Sequence, residues 1–522
     1  MSEINGTHSQ HAPLGLSRRE WLAGAAAGFG TVAAPGVRTA FAQGTPKKGG
    51  TLRVATVDKP VNMDPGYAQL YSSLQIYQNV YNKLVYVDEA GQFVPGLAKS
   101  WKQENDKTWL FDLVDNAVFH NGEPFSAQDV VYTFTRLLDA KNKLPMRIFF
   151  SPVEGVEAVG KSQVRFHLVK PFGPLLAMLS QATEIVNEKA LKEKDPKLFP
   201  IGTGPYKFVE WVKDDHVTLE RWEKYHRAGR PYLDKIIFYA PADDTVRLTG
   251  LQTGRFNWIQ TVPPQRIPEL ERGRDPKASS GRPALPFYLN LNASKPPFSD
   301  KRLRQAIAWA IDREEIVKLV YYGSHVVTAE PTPEPSPWAT GVNAHKGGPD
   351  LAKAKQLMAD AGMTGGLTLT YLVKSQVPVL VKTGEILREQ LKKIGITLEV
   401  QPLESGQYFE AMVAKKFDIV GGWWSVTVDP DMFYSPLQHS TSPWNFSGFK
   451  SEEADKRIDA FRFTTSAAAR KKMYPELVRW FQEEGSIIVF SNEIQRYWMK
   501  PNVQGSVPLG SLELRFEDTW LA

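Results

Sequence analysis

Between Leu367 and Val420 the sequence changes its hydrophobic period several times over short distances, and few folds can accommodate that. Leu367-Thr-Leu-Thr-Tyr-Leu-Val has the apolar, β-branched character of a strand. Val379 to Ile394 carries apolar residues at helical spacing and stops at Gly395, a residue suited to a helix C-terminus. Ile396-Thr-Leu-Glu-Val is strand-like again, Ser405 to Lys416 is helical, and Phe417-Asp-Ile-Val is a further strand. A strand, a covering helix and a second strand joined this tightly must lie parallel in one sheet. The second half of the chain is therefore predicted to be an α/β lobe. Upstream, the spacing of Leu303, Ile307, Ala310, Ile311, Val317 and Val320 predicts one helix over 303–320. Asp350 to Ala361 predicts another, closed by Gly362.

The first half is punctuated differently. Thr51 to Val57 predicts a short entry strand after the turn at Lys47-Lys48-Gly49-Gly50. Trp109, Phe111 and Leu113 alternate with polar neighbours, as do Val164, Phe166 and Leu168, so both segments predict half-buried strands. Ser126-Ala127-Gln128-Asp129 has the form of a capping box opening a helix that buries Val130, Phe134, Leu137 and Leu138. Hairpin-like strands and Pro-rich joints mark roughly 93–200 as a subdomain inserted in a first lobe. With 522 residues the chain exceeds one ordinary core, so several packed units are expected.

The N-terminus is an address. Arg18-Arg19 precedes a Gly/Ala-rich, mildly apolar stretch that ends in Ala40-Phe41-Ala42. This pattern fits a twin-arginine export signal, residues 1–42, with cleavage after Ala42 and a periplasmic mature protein. Pro35 and Arg38 interrupt the stretch, which suits a membrane-spanning helix poorly. The chain has no cysteine, so disulfides, thiolate metal sites and a Cys nucleophile are excluded. Its formal charge is +6, but Lys and Arg are interleaved with acids as in Lys382-Thr383-Gly384-Glu385. Solvated helix faces explain this better than a nucleic-acid surface.

Catalytic signatures are missing. The sequence contains no GxxxxGK[ST] phosphate loop, no HExxH and no GxSxG. Gly202-Thr203-Gly204-Pro205-Tyr206 is Gly-rich, but Pro205 removes an amide that a phosphate cradle would use, so a tight structural turn is predicted. His120-Asn121-Gly122-Glu123 predicts a hairpin turn rather than a metal site. The informative cluster lies at 421–449, where Trp423, Trp424, Phe433, Tyr434, Trp444, Phe446 and Phe449 crowd together. It follows a strand, and in open α/β sheets the segment leaving a strand's carboxyl end borders the ligand crevice. Aromatic walls with a few acceptors suit a small amphipathic solute, although the same rings could simply form a core. The candidate ligand contacts are Trp423, Trp424, Ser425, Val426, Asp429, Asp431, Tyr408, Trp444, Asn445 and Tyr67. No catalytic residue, metal ligand or cofactor site is predicted.

Four ordered stretches resemble family 5 extracellular solute-binding proteins, the dipeptide, oligopeptide and nickel-type receptors of ABC importers. They are Leu97 to Trp101 running through Phe119 to Val131, then Gly202 to Tyr206, then Asn290-Leu-Asn with Pro297 to Arg313, and finally Gly422-Trp423 to Asp431. The resemblance implies an α/β fold of two hinged lobes with an extra subdomain, the ligand held in the cleft between them. Lobe I would span 43–290, lobe II 291–484, and residues 485–522 would return to lobe I. The implied partners are a peptide or similar small solute and a membrane permease, with no nucleic acid, and the protein is expected to be a monomer. Peptide-binding members commonly place an Asp three positions after the first Trp of the last motif, paired with the peptide's ammonium. Here Val426 stands there. Asp429, Asp431 or Glu404 would then have to replace it, or the solute would be a non-peptide one such as a sugar, an opine or a metal chelate; an exported hydrolase is the remaining alternative.

Overall fold

A computed structural model describes residues 45–67, 71–181, 183–241, 243–426, 428–506 and 514–522. The export segment 1–42 lies outside the described residues.

Two antiparallel strands, Lys277–Leu291 and Ile487–Met499, form the spine of the molecule and pair from Lys277 opposite Met499 to Asn290 opposite Ile487. A parallel set of strands continues the sheet on either side of them. On one side come Ile419–Trp423, Leu367–Lys374 and Ile396–Leu403; on the other come Trp258–Ile259, Thr51–Ala55 and Lys235–Tyr239, followed by antiparallel His216–Arg221 and Tyr206–Val212. Leu367–Lys374 runs parallel to both its neighbours, and so does Thr51–Ala55. The strand-helix-strand reading of 367–420 is met, with Pro378–Lys392 as the crossover helix. Each parallel set has its own apolar core. One gathers Leu289, Ile307, Leu369, Leu387, Leu398 and Ile419, and the other Leu52, Val54, Tyr206, Leu219, Trp258 and Phe516.

A separate antiparallel sheet carries the inserted subdomain, in the order Ala98–Asn105, Thr108–Leu113, Gln163–Leu168, Val153–Ala158. Gln163–Leu168 alternates strictly, with Val164, Phe166 and Leu168 buried. The helix Ala127–Leu138 lies over it and begins with the expected capping box, in which Ser126 N donates to Asp129 Oδ2 at 2.9 Å. Its Phe134 meets Phe166 edge-on, ring centroids 4.8 Å apart. Leu138 is only partly buried.

Two local expectations need correcting. Residues 303–320 form two helices, Lys301–Ala310 and Arg313–Val320, rather than one. Asp312 causes the break: its side chain accepts from Glu315 N at 2.9 Å and so opens a new helix. The strand predicted at 417–420 runs instead from Ile419 to Trp423. Asp418 precedes it, with Oδ2 accepting from both Thr370 N and Thr370 Oγ1 at 3.0 Å.

Residues 514–516 are tied to Asn79 and Tyr206. Asn79 Nδ2 donates to Leu514 O at 2.8 Å, Phe516 N donates to Asn79 Oδ1 at 2.9 Å, and Tyr206 Oη donates to Phe516 O at 3.0 Å. No described helix is long and apolar enough to cross a membrane.

Candidate functional site

The carboxyl ends of both parallel sets mark where a ligand crevice belongs in a sheet of this kind. In the first half, the chain leaves Thr51–Ala55 through Val57 and Asp58, and Val57 N donates to Gln260 Oε1 at 3.1 Å. In the second half the corresponding ends are Lys374 and Trp423. Trp423 is 37% exposed and stacks on Phe287 of the spine at 5.7 Å with 27° between the ring planes. Lys374 Nζ lies 5.7 Å from the Trp423 ring centroid and 5.4 Å from that of Tyr408. Both distances fall in the range of cation–π attraction. Burial holds the Lys374 ammonium below its ordinary value, and Asp58 from the other half opposes that shift.

A second run of rings crosses between the halves. Trp424 meets Trp444 edge-on at 5.2 Å, and Trp444 meets Phe149 of the inserted subdomain edge-on at 5.5 Å. Trp424 is anchored by Nε1 donating to Met432 O at 2.7 Å. Met432 itself sits in the subdomain core, and Val428 packs with Val87 and Ala177. Beside them Gly173 N donates to Arg462 O at 3.1 Å. A Cβ at Gly173 would come 2.2 Å from Thr464 O, so glycine permits the approach.

The predicted contacts therefore separate into two groups. Trp423, Trp424, Ser425, Trp444 and Tyr67 keep some accessible surface. Val426, at 3% exposure, is a core residue packed with Tyr288, Phe433 and Leu437. Asp429 is buried and held by Arg470 through two oxygens at 2.5 and 2.7 Å. Asp431 is buried too; it accepts from Ser435 Oγ and lies 3.8 Å from Arg462 Nε. Burial raises its carboxyl, and Arg462 lowers it in part. Asn445 is spent on His439 O, Phe449 O and Ser447 Oγ. Tyr408 donates to Gly421 O at 2.8 Å and is otherwise buried. Glu404 accepts from Ser375 Oγ and Gln376 Nε2. None of the three acids considered as replacements for the missing ammonium partner is idle.

Of the crowded rings, Phe433, Tyr434, Phe446 and Phe449 are core, whereas Trp423, Trp424 and Trp444 line the approach between the halves. Sequence reasoning overlooked Lys374, Asp58, Phe287 and Phe149. Lys374 offered one signal, a charged residue closing an otherwise apolar strand. Phe149 offered none, since a subdomain far away in the chain brings it here. A groove of about 710 Å³ lies elsewhere, lined from Thr56 through Val61, Phe199, Trp211 and Tyr239. It belongs to the first half alone and touches none of these tryptophans.

The two Gly- and His-bearing motifs are structural. The turn at Asn121-Gly122 closes through Phe119 N donating to Glu123 O at 2.8 Å. His120 Nε2 sits 3.0 Å from Gly204 O and its ring abuts Trp222 at 5.3 Å. Burial drops its imidazole to about 4. Gly202 and Gly204 let the turn press against Val80, whose carbonyl oxygen would stand 2.2 Å from a Cβ on Gly202. Among the described residues, no group of three or more His, Asp or Glu side chains is placed to hold a metal ion.

The profile of the bacterial extracellular solute-binding proteins, family 5, matches residues 92–445. The chain belongs to that family. It is 26% identical over 430 residues to the glutathione-binding protein GsiB of Pectobacterium atrosepticum, covering 80% of this chain and 83% of the relative. Among solved structures it resembles the periplasmic binding protein DppA of Helicobacter pylori in complex with the peptide STSA. The TM-score is 0.82 at 24% identity, over 91% of this chain and 98% of that one. The oligopeptide-binding protein AppA of Bacillus subtilis, solved with a nonapeptide, gives 0.81 at 26% identity over 91% and 100%. The fold is accordingly the two-lobed α/β architecture of these receptors.

Proposed function

We propose that the protein is the periplasmic substrate-binding component of a peptide-type ABC importer, which captures a peptide or similar small solute and hands it to a membrane permease. The observation that carries the reading is the convergence of strand ends. At one lobe's strand end Val57 meets Gln260, at the other's Lys374 lies beside Trp423 and Tyr408, and Trp424, Trp444 and Phe149 form a run of rings between the halves. Aromatic walls with few polar groups bury a solute while hinged lobes enclose it. Trp423, Trp424, Ser425, Trp444 and Tyr67 are the proposed direct contacts. Val426, Asp429, Asp431, Asn445 and Tyr408 act from within lobe II, shaping the wall.

Lobe I comprises 43–290 with its subdomain at about 93–200, lobe II 291–484, and 485–522 return to lobe I. Export through a twin-arginine signal with cleavage after Ala42 leaves a monomer that acts without a cofactor and does not bind nucleic acid. N-terminal sequencing of the exported protein should begin at Gln43.

Native mass spectrometry of protein purified without denaturation tests the capture reading, since a closed receptor retains its solute. A peptide mixture should be bound stoichiometrically and unaltered, and turnover of that mixture would make the protein a hydrolase instead. A non-peptide solute is a second reading with an observation in its favour. The three acids weighed as substitutes for the missing ammonium partner already have partners, Asp429 in Arg470, Asp431 in Ser435 and Glu404 in Ser375.

A further inference from the structure

We propose that lobe II holds a monatomic anion, chloride being the abundant one, between Arg313 and His345. The site lies behind the second spine strand and is separate from the cleft.

Arg313 opens the helix Arg313–Val320, yet its side chain turns inward and the residue is 8% exposed. Its Nε donates to Val489 O at 3.1 Å, and among the described residues no carboxylate pairs with its charge. The acids nearest in sequence are spent elsewhere. Asp312 accepts from Glu315 N, Glu315 accepts from Gln390 Nε2 at 2.8 Å, and Glu314 is exposed. The other deeply buried arginines of the described residues, Arg247, Arg304 and Arg470, each have a carboxylate, in Asp244, Glu484 and Asp429. Burial pulls the Arg313 guanidinium down to about 10, so it stays a cation at neutral pH. A buried cation costs free energy unless an anion joins it.

Arg313 lines a cavity of about 10 Å³ together with Ala308, Ala329, His345, Gln482 and residues 487–489. That is room for one water-sized occupant and too little for sulfate or phosphate. His345 is 6% exposed, and its Nδ1 has no hydrogen-bond partner among the described residues. Burial, helped by Arg313 and Lys353, pushes its imidazole down to about 3, so the ring is neutral with one N–H to give. Placed on Nδ1, that proton serves the same occupant as the guanidinium. Lys353, its ammonium 3.9 Å from the Trp309 ring centroid, adds positive charge to this corner, and Trp309 meets His345 edge-on at 4.8 Å. Gln482 does not compete: Nε2 donates to Ala329 O and Val342 O, and Oε1 accepts from Ala344 N. A water would satisfy the N–H groups and leave the charge uncompensated, whereas an anion does both. It would also fasten the loop carrying Ala329 and His345 to the spine. The same loop supports Val428, whose carbonyl accepts from Trp338 Nε1 at 2.9 Å.

The first test is thermal denaturation in sodium chloride and in sodium gluconate, at equal ionic strength and pH. The wild-type midpoint should rise by roughly 1–3 °C for each tenfold increase in chloride and should not follow gluconate. Arg313→Met should lose that difference, and His345→Phe should need roughly 10-fold more chloride for the same shift. A wild-type crystal grown in sodium bromide decides the matter even if Arg313→Met fails to fold. Its bromine anomalous signal should peak beside the Arg313 guanidinium and His345 Nδ1. No peak there would overturn the proposal and make the occupant an ordered water only. A chloride effect of equal size in wild type and Arg313→Met would overturn it too, since that is a general salt effect.

Discussion

Asp429 and Arg470 face each other inside lobe II as a two-point ion pair, 2.5 and 2.7 Å between oxygen and nitrogen, with both side chains almost wholly buried. Arg470 also lies over the rings of Phe461 and Trp338, 4.1 and 5.0 Å from their centroids. The Asp-Pro-Asp turn is thus fastened from behind, and the tryptophans that precede it inherit a fixed position.

Removing one member of that pair strands the other in an apolar setting. Asp429→Asn or Arg470→Met should each lower stability by about 3–5 kcal/mol, read from urea denaturation. The double variant Asp429→Leu/Arg470→Met should recover much of the loss. A ligand-contacting Asp429 would behave differently, with affinity falling and the denaturation midpoint unmoved.

Trp424 and Trp444 are half-buried and approach the cleft, so truncating them should affect capture more than folding. Trp424→Ala is expected to weaken binding by roughly 10-fold or more, an aromatic contact and its area being lost. Circular dichroism should remain that of wild type. If affinity is unchanged, Trp424 is a packing residue only.

The Phe149–Trp444 contact joins the subdomain to lobe II. A double-mutant cycle with Phe149→Ala and Trp444→Ala should return a coupling of about 0.5–1.5 kcal/mol in the binding free energy. Zero coupling would show that the two rings do not act together in the bound form.

His120 should make the protein acid-labile. Its folded value is about 4 against an ordinary 6.5, so between those limits the unfolded chain binds a proton that the folded chain refuses. Stability is therefore unaffected above about pH 6.5 and falls as pH drops towards 4, by at most about 3 kcal/mol for this residue. His325, pushed down to about 3, adds in the same direction. Glu493, pushed up to about 7 by burial, acts oppositely and gains stability as pH falls through the same range. Comparing wild type with His120→Gln across pH 4–7 isolates the first contribution.

Gly202→Ala would place a methyl 2.2 Å from Val80 O. Backbone cannot yield as a side chain tip can, so a loss above about 3 kcal/mol is expected, measured as the shift in urea midpoint.

What the sequence revealed depended on how local each cause was. The helix at Ala127–Leu138 was legible because Ser126 and Asp129 satisfy its end within four residues. The parallel order of 367–423 was legible because crossover handedness and loop length admit few arrangements. The break at Asp312 was missed because apolar spacing continues through it and only the cap interrupts the helix. The site was half visible. Its tryptophans fall in one short stretch of sequence, but the roles of Asp429 and Val426 depend on Arg470 and Tyr288, which periodicity cannot bring to them. Lys374, Asp58 and Phe149 reach the cleft from three separate regions of the chain, and only the folded topology unites them.

The hydrogen bonds between Asn79 and residues 514–516 also fix when the molecule can become itself. A ribosome releases residue 79 long before residue 516. Until residues 514–516 emerge, the first lobe lacks Phe516 against Trp258, and the Asn79 amide keeps only its bond to Gln75 O. A prematurely terminated product would be missing a wall of its oldest core rather than a dispensable tail. This core thus waits for residues 514–516, and any cellular step that accepts only compact chains would reject chains truncated before them without inspecting the cleft at all.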